Sequence, residues 1–229
     1  MIETGHLPAD GGDRPIRTFH PRRGRMSGRH ADAMAELWPV YGLTVVDGDR
    51  SPLDLALLFG RDAPRVLEIG FGMGDTTAAM AGADPGRDYL AAEVHTPGIG
   101  NLLALIGERG LTNVRVAHGD AMELVHRLAP GSLEAVHVFF PDPWPKARHH
   151  KRRLIQPGNV RLLGQRLRVG GVLHCATDWP HYAQAMAEVL AADPDLRPAE
   201  GPSGRPETKF EKRGVRAGRP ITDLIFRRR

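Results

Sequence analysis

Apolar positions along the chain fall into two rhythms, short unbroken runs and longer stretches with a helical repeat. The runs Arg65–Ile69, Asp88–Val94, Val114–Ala117, Leu133–Phe140, Val172–Ala176 and Asp223–Phe226 have the length of strands covered on both faces, as in a parallel sheet. Between them Ile99, Leu102, Leu103 and Ile106 share one helical face, as do Val160, Leu162, Leu163 and Leu167, and Tyr182–Ala191 predicts a further helix. Ala31–Leu37 reads as a short helix stopped before Pro39, and the Val160 helix as ending at Gly170-Gly171. Ser51-Pro52-Leu53-Asp54 predicts an N-cap with Pro at the first helical position, the helix covering the sheet with Leu53, Leu57 and Leu58. Residues 194–206 are polar and loop-like. Strands alternating with helices predict a doubly wound α/β sheet.

Two junctions carry chemistry. Arg65–Ile69 runs directly into Gly70-Phe71-Gly72-Met73-Gly74 and then a helix from about Asp75. Strand, glycine turn and helix bring backbone N–H groups close to a ligand of nucleotide type. A dinucleotide fingerprint needs a sixth-position glycine, where this chain has Asp75, so NAD is disfavoured. Glu68, Glu93 and Asp120 lie at the ends of three successive strands; Glu93 suits ribose hydroxyls, and any one of the three, Asp120 among them, also reads as a helix N-cap. The second junction follows Phe140. Pro141 and Pro143 forbid further ladder donation, so Asp142, Trp144 and Lys146 are presented at a strand's carboxyl end, where open α/β sheets bind ligands.

Charge sharpens this picture. The formal net charge is only +4, yet residues 14–30 carry six Arg and no acid, residues 142–153 five basic residues against Asp142, and residues 205–229 nine against three acids. Basic segments on an acidic body predict a polyanion outside and a cationic ligand inside, with solvated loop charge as the bland alternative for any one segment. Arg17, Arg22, Arg23 and Arg25, interleaved with Phe19 and Pro21, suggest an extended arm. Residues 1–13 contain no apolar core of a leader or anchor and are expected to be a disordered extension; residues 14–60 form the basic arm and covering helices, and 61–229 the α/β domain. A single cysteine, Cys175, allows no internal disulfide and fits a reducing, cytoplasmic setting.

These residues resemble the class I methyltransferases that use S-adenosylmethionine, through Glu68-x-Gly70-x-Gly72-x-Gly74 with Glu93 and Asp120. More narrowly they resemble the bacterial tRNA guanine-N7 methyltransferases, through Pro141-Asp142-Pro143-Trp144-x-Lys146-x-Arg148-His149-x-Lys151-Arg152-Arg153, Thr177-Asp178 and Thr208-Lys209-Phe210-Glu211. The resemblance spans nearly the whole chain from Ile16. It implies a Rossmann-like, mostly parallel seven-stranded sheet with one antiparallel strand near the C-terminus. It implies S-adenosylmethionine contacts at Glu68, Gly70, Gly72, Gly74, Glu93, Asp120, Ala121 and Asp142, with Asp142 the catalytic candidate. It implies substrate contacts at Lys146, Asp178, Thr208, Lys209, Phe210 and Glu211, and tRNA contacts at Arg148, His149, His150, Lys151, Arg152 and Arg153. A monomer or weak homodimer without metal is expected. The family often carries Lys-Gly-Gln where this chain has Gly28-Arg29-His30, which leaves any role of that Gln open.

Three points stay undecided on sequence. Trp144 either stacks on an exposed base or packs over the strand end, and Lys146 either meets the substrate or pairs with Asp142. Pro-Asp-Pro-Trp also occupies the place of the Asp/Asn-Pro-Pro-aromatic motif of exocyclic-amine methyltransferases, and a non-catalytic RNA-binding module is a third reading.

Overall fold

The computed structural model describes residues 17–19, 24–200, 205–216 and 218–229, leaving aside the side chains of Lys209, Phe210, Lys212 and Arg213. In chain order the elements are α1 (Gly28–Tyr41), β1 (Gly42–Thr44), α2 (Leu55–Phe59), β2 (Arg65–Ile69), α3 (Asp75–Ala83), β3 (Asp88–Glu93), α4 (Thr96–Arg109), β4 (Val114–His118), α5 (Ala121–Arg127) and β5 (Leu133–Phe139). A 3-10 turn (Ala147–Arg152), α6 (Pro157–Arg166), β6 (Leu167–Thr177), α7 (Pro180–Ala192), β7 (Leu196–Pro198), α8 (Lys209–Arg216) and β8 (Thr222–Arg228) follow.

The strands form one sheet in the order β1-β4-β3-β2-β5-β6-β8-β7, with β8 antiparallel to both neighbours. Both faces are covered. Along β3, Tyr89 and Ala91 pack into one cluster while Leu90 and Ala92 pack into the other, so period-2 alternation persists although all four positions are apolar. Helices α1, α3 and α4 supply the first cluster, and α2, α5, α6 and α7 the second. The strand order reverses between β2 and β5, which opens a crevice at their carboxyl ends.

Six strands lie where the apolar runs put them, and the sheet has eight described strands rather than seven. The additions, β1 and β7, are three-residue edge strands without an apolar run; β7 falls inside the expected loop 194–206. Other boundaries move for local reasons. Helix α1 continues through Pro39, because a proline in the last turn costs one bond while Met34, Leu37, Trp38 and Tyr41 remain packed against the α4 side of the core. Asp54, not Ser51, caps α2, accepting from the Leu57 N–H at 3.0 Å; Pro52 and Leu53 precede the helix, and the Leu53 N–H donates to the Arg127 carbonyl instead. Helix α6 ends at Arg166, and Gly170-Gly171 form an irregularity within β6, where the register with β5 shifts between the Leu133–Leu167 and Ala135–Val172 pairs.

The glycine turn is packed against its neighbours at backbone distance. A Cβ on Gly98, in the first turn of α4, would lie 1.9 Å from the Gly72 carbonyl oxygen. Gly98→Ala is therefore expected to destabilise the fold by about 3 kcal/mol, whereas Gly28→Ala, with nothing within 4 Å of the added carbon, should leave the urea midpoint where it is. Equal midpoints for the two variants would contradict this packing.

Candidate active site

The glycine turn leaves β2 with Gly70, Gly72 and Gly74 all at positive φ, 75°, 63° and 77°, a backbone that a side chain would strain. The Glu93 carboxylate at the end of β3 holds it in place. One oxygen accepts from the Gly72 N–H at 2.9 Å, and the other accepts from the N–H groups of Val94 and His95 at 2.7 and 3.1 Å. Gly74 serves a different end: a Cβ there would lie 2.7 Å from the Leu102 Cβ, so it permits α3 and α4 to touch. From the other side Asn101 of α4 donates to the Met73 carbonyl at 2.6 Å, and its amide oxygen lies 2.9 Å from Arg29 Nη1 and 3.2 Å from His30 Nε2. That is where Gly28-Arg29-His30 lies.

After β5 the chain turns sharply. Phe140 and Trp144 both adopt positive φ, 54° and 46°, which is rare for side chains of this size. The Phe140 N–H still donates to the Ala176 carbonyl at 2.8 Å, so the strand edge holds up to the break. Trp144 is only 3% exposed; its indole N–H donates to the Thr18 carbonyl at 3.2 Å, and the Arg152 guanidinium covers its ring at 5.0 Å. Of the two readings of Trp144, the packing one is what the structure shows. The arrangement leaves Asp142 at the rim of a cavity.

That cavity encloses about 860 Å³, counting space open to solvent, and is lined by Gly70, Gly72, Glu93, Asp120, Ala121 and Asp142 among the residues singled out by sequence. It is also lined by Thr18, Phe19, His95, Phe139, Phe140 and Leu154, which sequence reasoning assigned no role there. Phe139 and Phe140 carried a signal, since they directly precede the Pro141-Asp142 break. Thr18 and Phe19 carried none, because their place depends on the contact with Trp144 some 126 positions away. Glu68 and Gly74 are not among the lining residues. Glu68 lies behind the turn, 3% exposed, accepting from the Thr77 hydroxyl at 2.6 Å. Burial raises its carboxyl to about 7 against the opposing pull of the Thr77 bond, with a smaller push from Glu93. Burial also raises Asp120, although its side chain accepts from the Met122 N–H at 2.8 Å. Asp120 is thus the N-cap of α5 and a cavity wall together.

The remaining candidates surround this cavity without lining it. Lys146 is exposed at the start of the 3-10 turn. Within that turn Arg148, Lys151 and Arg152 are exposed and His149 and His150 half-buried. Arg153 departs from the expected RNA contact: it is 5% exposed, donates to the Pro143 carbonyl at 3.0 Å and lies 4.7 Å over the Tyr182 ring. Asp178, at the tip of β6, pairs with Arg219 at 2.8 Å. Thr208 is buried and forms a capping box with Glu211, its hydroxyl accepting from the Glu211 N–H at 3.0 Å while Glu211 Oε2 accepts from the Thr208 N–H at 3.3 Å. The side-chain roles expected of Lys209 and Phe210, and the arm positions Arg22 and Arg23, lie outside the described residues. The C-terminal arginines also differ from a polyanion arm. Antiparallel β8 carries Arg227 and Arg228 to the opposite sheet edge, where Arg227 and Arg228 donate to the Gly170, Gln165 and Leu167 carbonyls and Arg229 to the Leu196 carbonyl.

Residues 62–224 match a family model described as "Putative methyltransferase". The tRNA (guanine-N(7)-)-methyltransferase of Streptomyces coelicolor is 55% identical over 224 residues, covering 94% of this chain and 82% of that protein. The protein of the same name from Nitrosospira multiformis is 53% identical over 222 residues, covering 94% and 96%. A solved structure of the 16S rRNA methyltransferase KamB aligns with a TM-score of 0.53 at 18% identity, covering 81% of this chain and 99% of that one, a likeness of fold. Among the described residues no helix is long and apolar enough to cross a membrane, and no three or more His, Cys, Asp or Glu side chains group as metal ligands.

The buried Glu68 gives the free protein a signature in pH. With its folded value at about 7 against an ordinary 4.5, the protonated form is favoured by folding. The stability it contributes is full below pH 4.5 and is lost as pH rises through about 7, a change on the order of 3 kcal/mol. Glu68→Gln should flatten this slope, so urea unfolding from pH 4 to 8 is expected to show the variant gaining on the parent as pH rises. Parallel profiles would rule it out.

Proposed function

Since the chain belongs to the tRNA (guanine-N7-)-methyltransferase family and transfers a methyl group to N7 of a guanine in tRNA, we propose that the cavity at the carboxyl ends of β2 to β5 takes S-adenosylmethionine and that Asp142 is its catalytic residue. The observation that carries this reading is the meeting of three carboxylates, Glu93, Asp120 and Asp142, around one apolar-walled cavity next to an exposed basic turn. A cationic, nucleoside-containing cofactor fits that chemistry. Ile69, Phe139, Phe140 and Leu154 offer apolar surface, while Gly70 and Gly72 allow backbone approach that a Cβ would obstruct. Glu93 and Asp120 are the natural partners of ribose and base groups. When bound, S-adenosylmethionine supplies a methyl group on a positively charged sulfur.

The remaining demands on this chain are modest. Guanine N7 is a hydrogen-bond acceptor with a free lone pair and no proton to remove, so no general base is required. The guanine edge presents N1–H and an exocyclic amine, both donors, and a carboxylate accepts both; adenine presents an acceptor at N1 and is rejected by the same group. Asp142 is read as that acceptor and as a negative charge close to the positive charge passing from donor to base, with Asp178 a second carboxylate for the edge. At about 4 Å and an effective dielectric near 20 one such charge contributes about 4 kcal/mol at most. Orientation in the cavity supplies much of the rest. Arg148, Lys151 and Arg152 are the residues positioned for the RNA backbone, and Lys146 for a substrate phosphate or base.

The reading favours N7 over an exocyclic amine because relatives of more than 50% identity carry that name, and catalysis over a mere RNA-binding role for the same reason. Asp142→Ala is expected to lower the rate of methyl transfer by on the order of a thousandfold while tRNA binding is kept; nucleoside analysis of tRNA incubated with labelled cofactor reads both the rate and the methylated atom. Turnover at the parent rate would remove Asp142 from catalysis. Replacing Arg148, Lys151 and Arg152 by Ala should reduce the log–log salt slope of tRNA binding by about 2 to 3. Arg153→Ala is expected to lower the melting temperature instead, and the opposite pattern would reverse the two assignments.

A further inference from the structure

Arg205 precedes the Thr208–Glu211 box and belongs to no motif discussed above. Its side chain is only 3% exposed, yet it is charged, and such a group is retained at a cost unless it is well paired and hydrogen-bonded. Here each of its three nitrogens donates to a carboxylate. Nε and Nη2 donate to the two oxygens of Asp223 at 2.9 and 3.0 Å, a bidentate fork. Nη1 donates to Glu211 Oε2, the same oxygen that accepts the Thr208 N–H. Asp223, on β8, is held in turn by His174 Nε2 of β6 at 2.6 Å. Burial pushes the Asp223 carboxyl up, but the bonds from His174 and Arg205 outweigh it and leave it at about 2. The guanidinium carbon lies over the Phe139 and Phe140 rings, 5.4 and 5.5 Å from their centroids.

We propose that Arg205 is a positioning residue for tRNA recognition, clamping the segment that bears Thr208 and Glu211 onto β8 and against the Phe139–Phe140 wall of the cavity. The inference rests on the reading of Thr208 and Glu211 as substrate contacts. Its force comes from what Arg205 touches: on one side a carboxylate that builds the first turn of α8, on the other two rings that line the cavity. The far end of the same segment is tied to the site separately, through Arg219 and Asp178 at 2.8 Å. Gly214 of α8 packs so close to Asp178 that an added Cβ would lie 3.0 Å from the Asp178 Cβ. The substrate residues of α8 and β6 are therefore held in one frame, and Arg205 is the joint between that frame and the cavity. A lysine keeps the charge but, as a point donor on a flexible stem, does not reproduce the planar fork or the stacking.

The test compares Arg205→Lys, Glu211→Gln, their combination and Thr208→Val, each shown folded by circular dichroism. Readouts are the KM for tRNA, kcat and the calorimetric Kd for S-adenosylmethionine. Arg205→Lys is expected to raise the tRNA KM roughly tenfold or more with the cofactor Kd within about twofold, and the double variant to be no worse than the poorer single one, because the two groups act as a unit. If Thr208→Val raises the tRNA KM and Arg205→Lys does not, the positioning role is overturned while the substrate reading stands. If neither Thr208→Val nor Glu211→Gln changes it, the substrate reading fails and takes this inference with it. A parallel loss of cofactor and tRNA affinity would mark Arg205 as merely structural and also overturn the proposal. Should Arg205→Lys not fold, Asp223→Asn breaks the same fork and is read in the same way.

Discussion

The site depends on a backbone that its residues would not choose in isolation. Phe140 and Trp144 sit at positive φ on either side of Pro141-Asp142-Pro143, at a cost of order 1–3 kcal/mol each. Contacts from far along the chain join local ones in holding them. The Phe140 N–H is fixed by Ala176 on β6, and the Trp144 indole by burial, by the Thr18 carbonyl and by Arg152 over its ring. Because two of these anchors come from distant parts of the chain, the turn, and with it the position of Asp142, depends on tertiary contacts.

A second constraint works through acidic groups on the same edge. Glu93 uses its three hydrogen bonds to shape the glycine turn, Asp120 caps α5, and Glu68 braces α3 from behind through Thr77. Each carboxylate thus has a structural duty as well as a place near the cavity. Two of them, Glu68 and Asp120, have raised pKa values because they are desolvated, so burial favours the neutral form of each.

The basic residues divide in the opposite manner. The 3-10 turn leaves Arg148, Lys151 and Arg152 exposed beside the site, whereas Arg153 points inward and Arg227, Arg228 and Arg229 cap carbonyls at the far edge. Sequence charge alone puts all of them in one class. Place within the fold separates them: Arg148, Lys151 and Arg152 are exposed in the 3-10 turn, Arg153 is buried, and Arg227 and Arg229, although exposed, satisfy backbone acceptors at the far edge.

By itself the sequence determined what depends on neighbours a few positions apart. The six long strands, the crossover helices, the glycine turn and the break after β5 follow from apolar period, from the steric freedom of glycine and from the missing N–H of proline, all of which act locally. It put Glu93 and Asp120 at one sheet edge as well, because strand ends in a parallel sheet share that edge, but not the place of Glu68 behind the turn. Only the tertiary structure decided the short edge strands β1 and β7, the inward turn of Trp144 and Arg153, the opposite-edge position of the C-terminal arginines, and the contact of Arg205 with Asp223, Glu211 and the Phe139–Phe140 wall. Those choices depend on hydrogen bonds and packing between segments far apart along the chain, and no local pattern of residue types records which partner a buried donor will find.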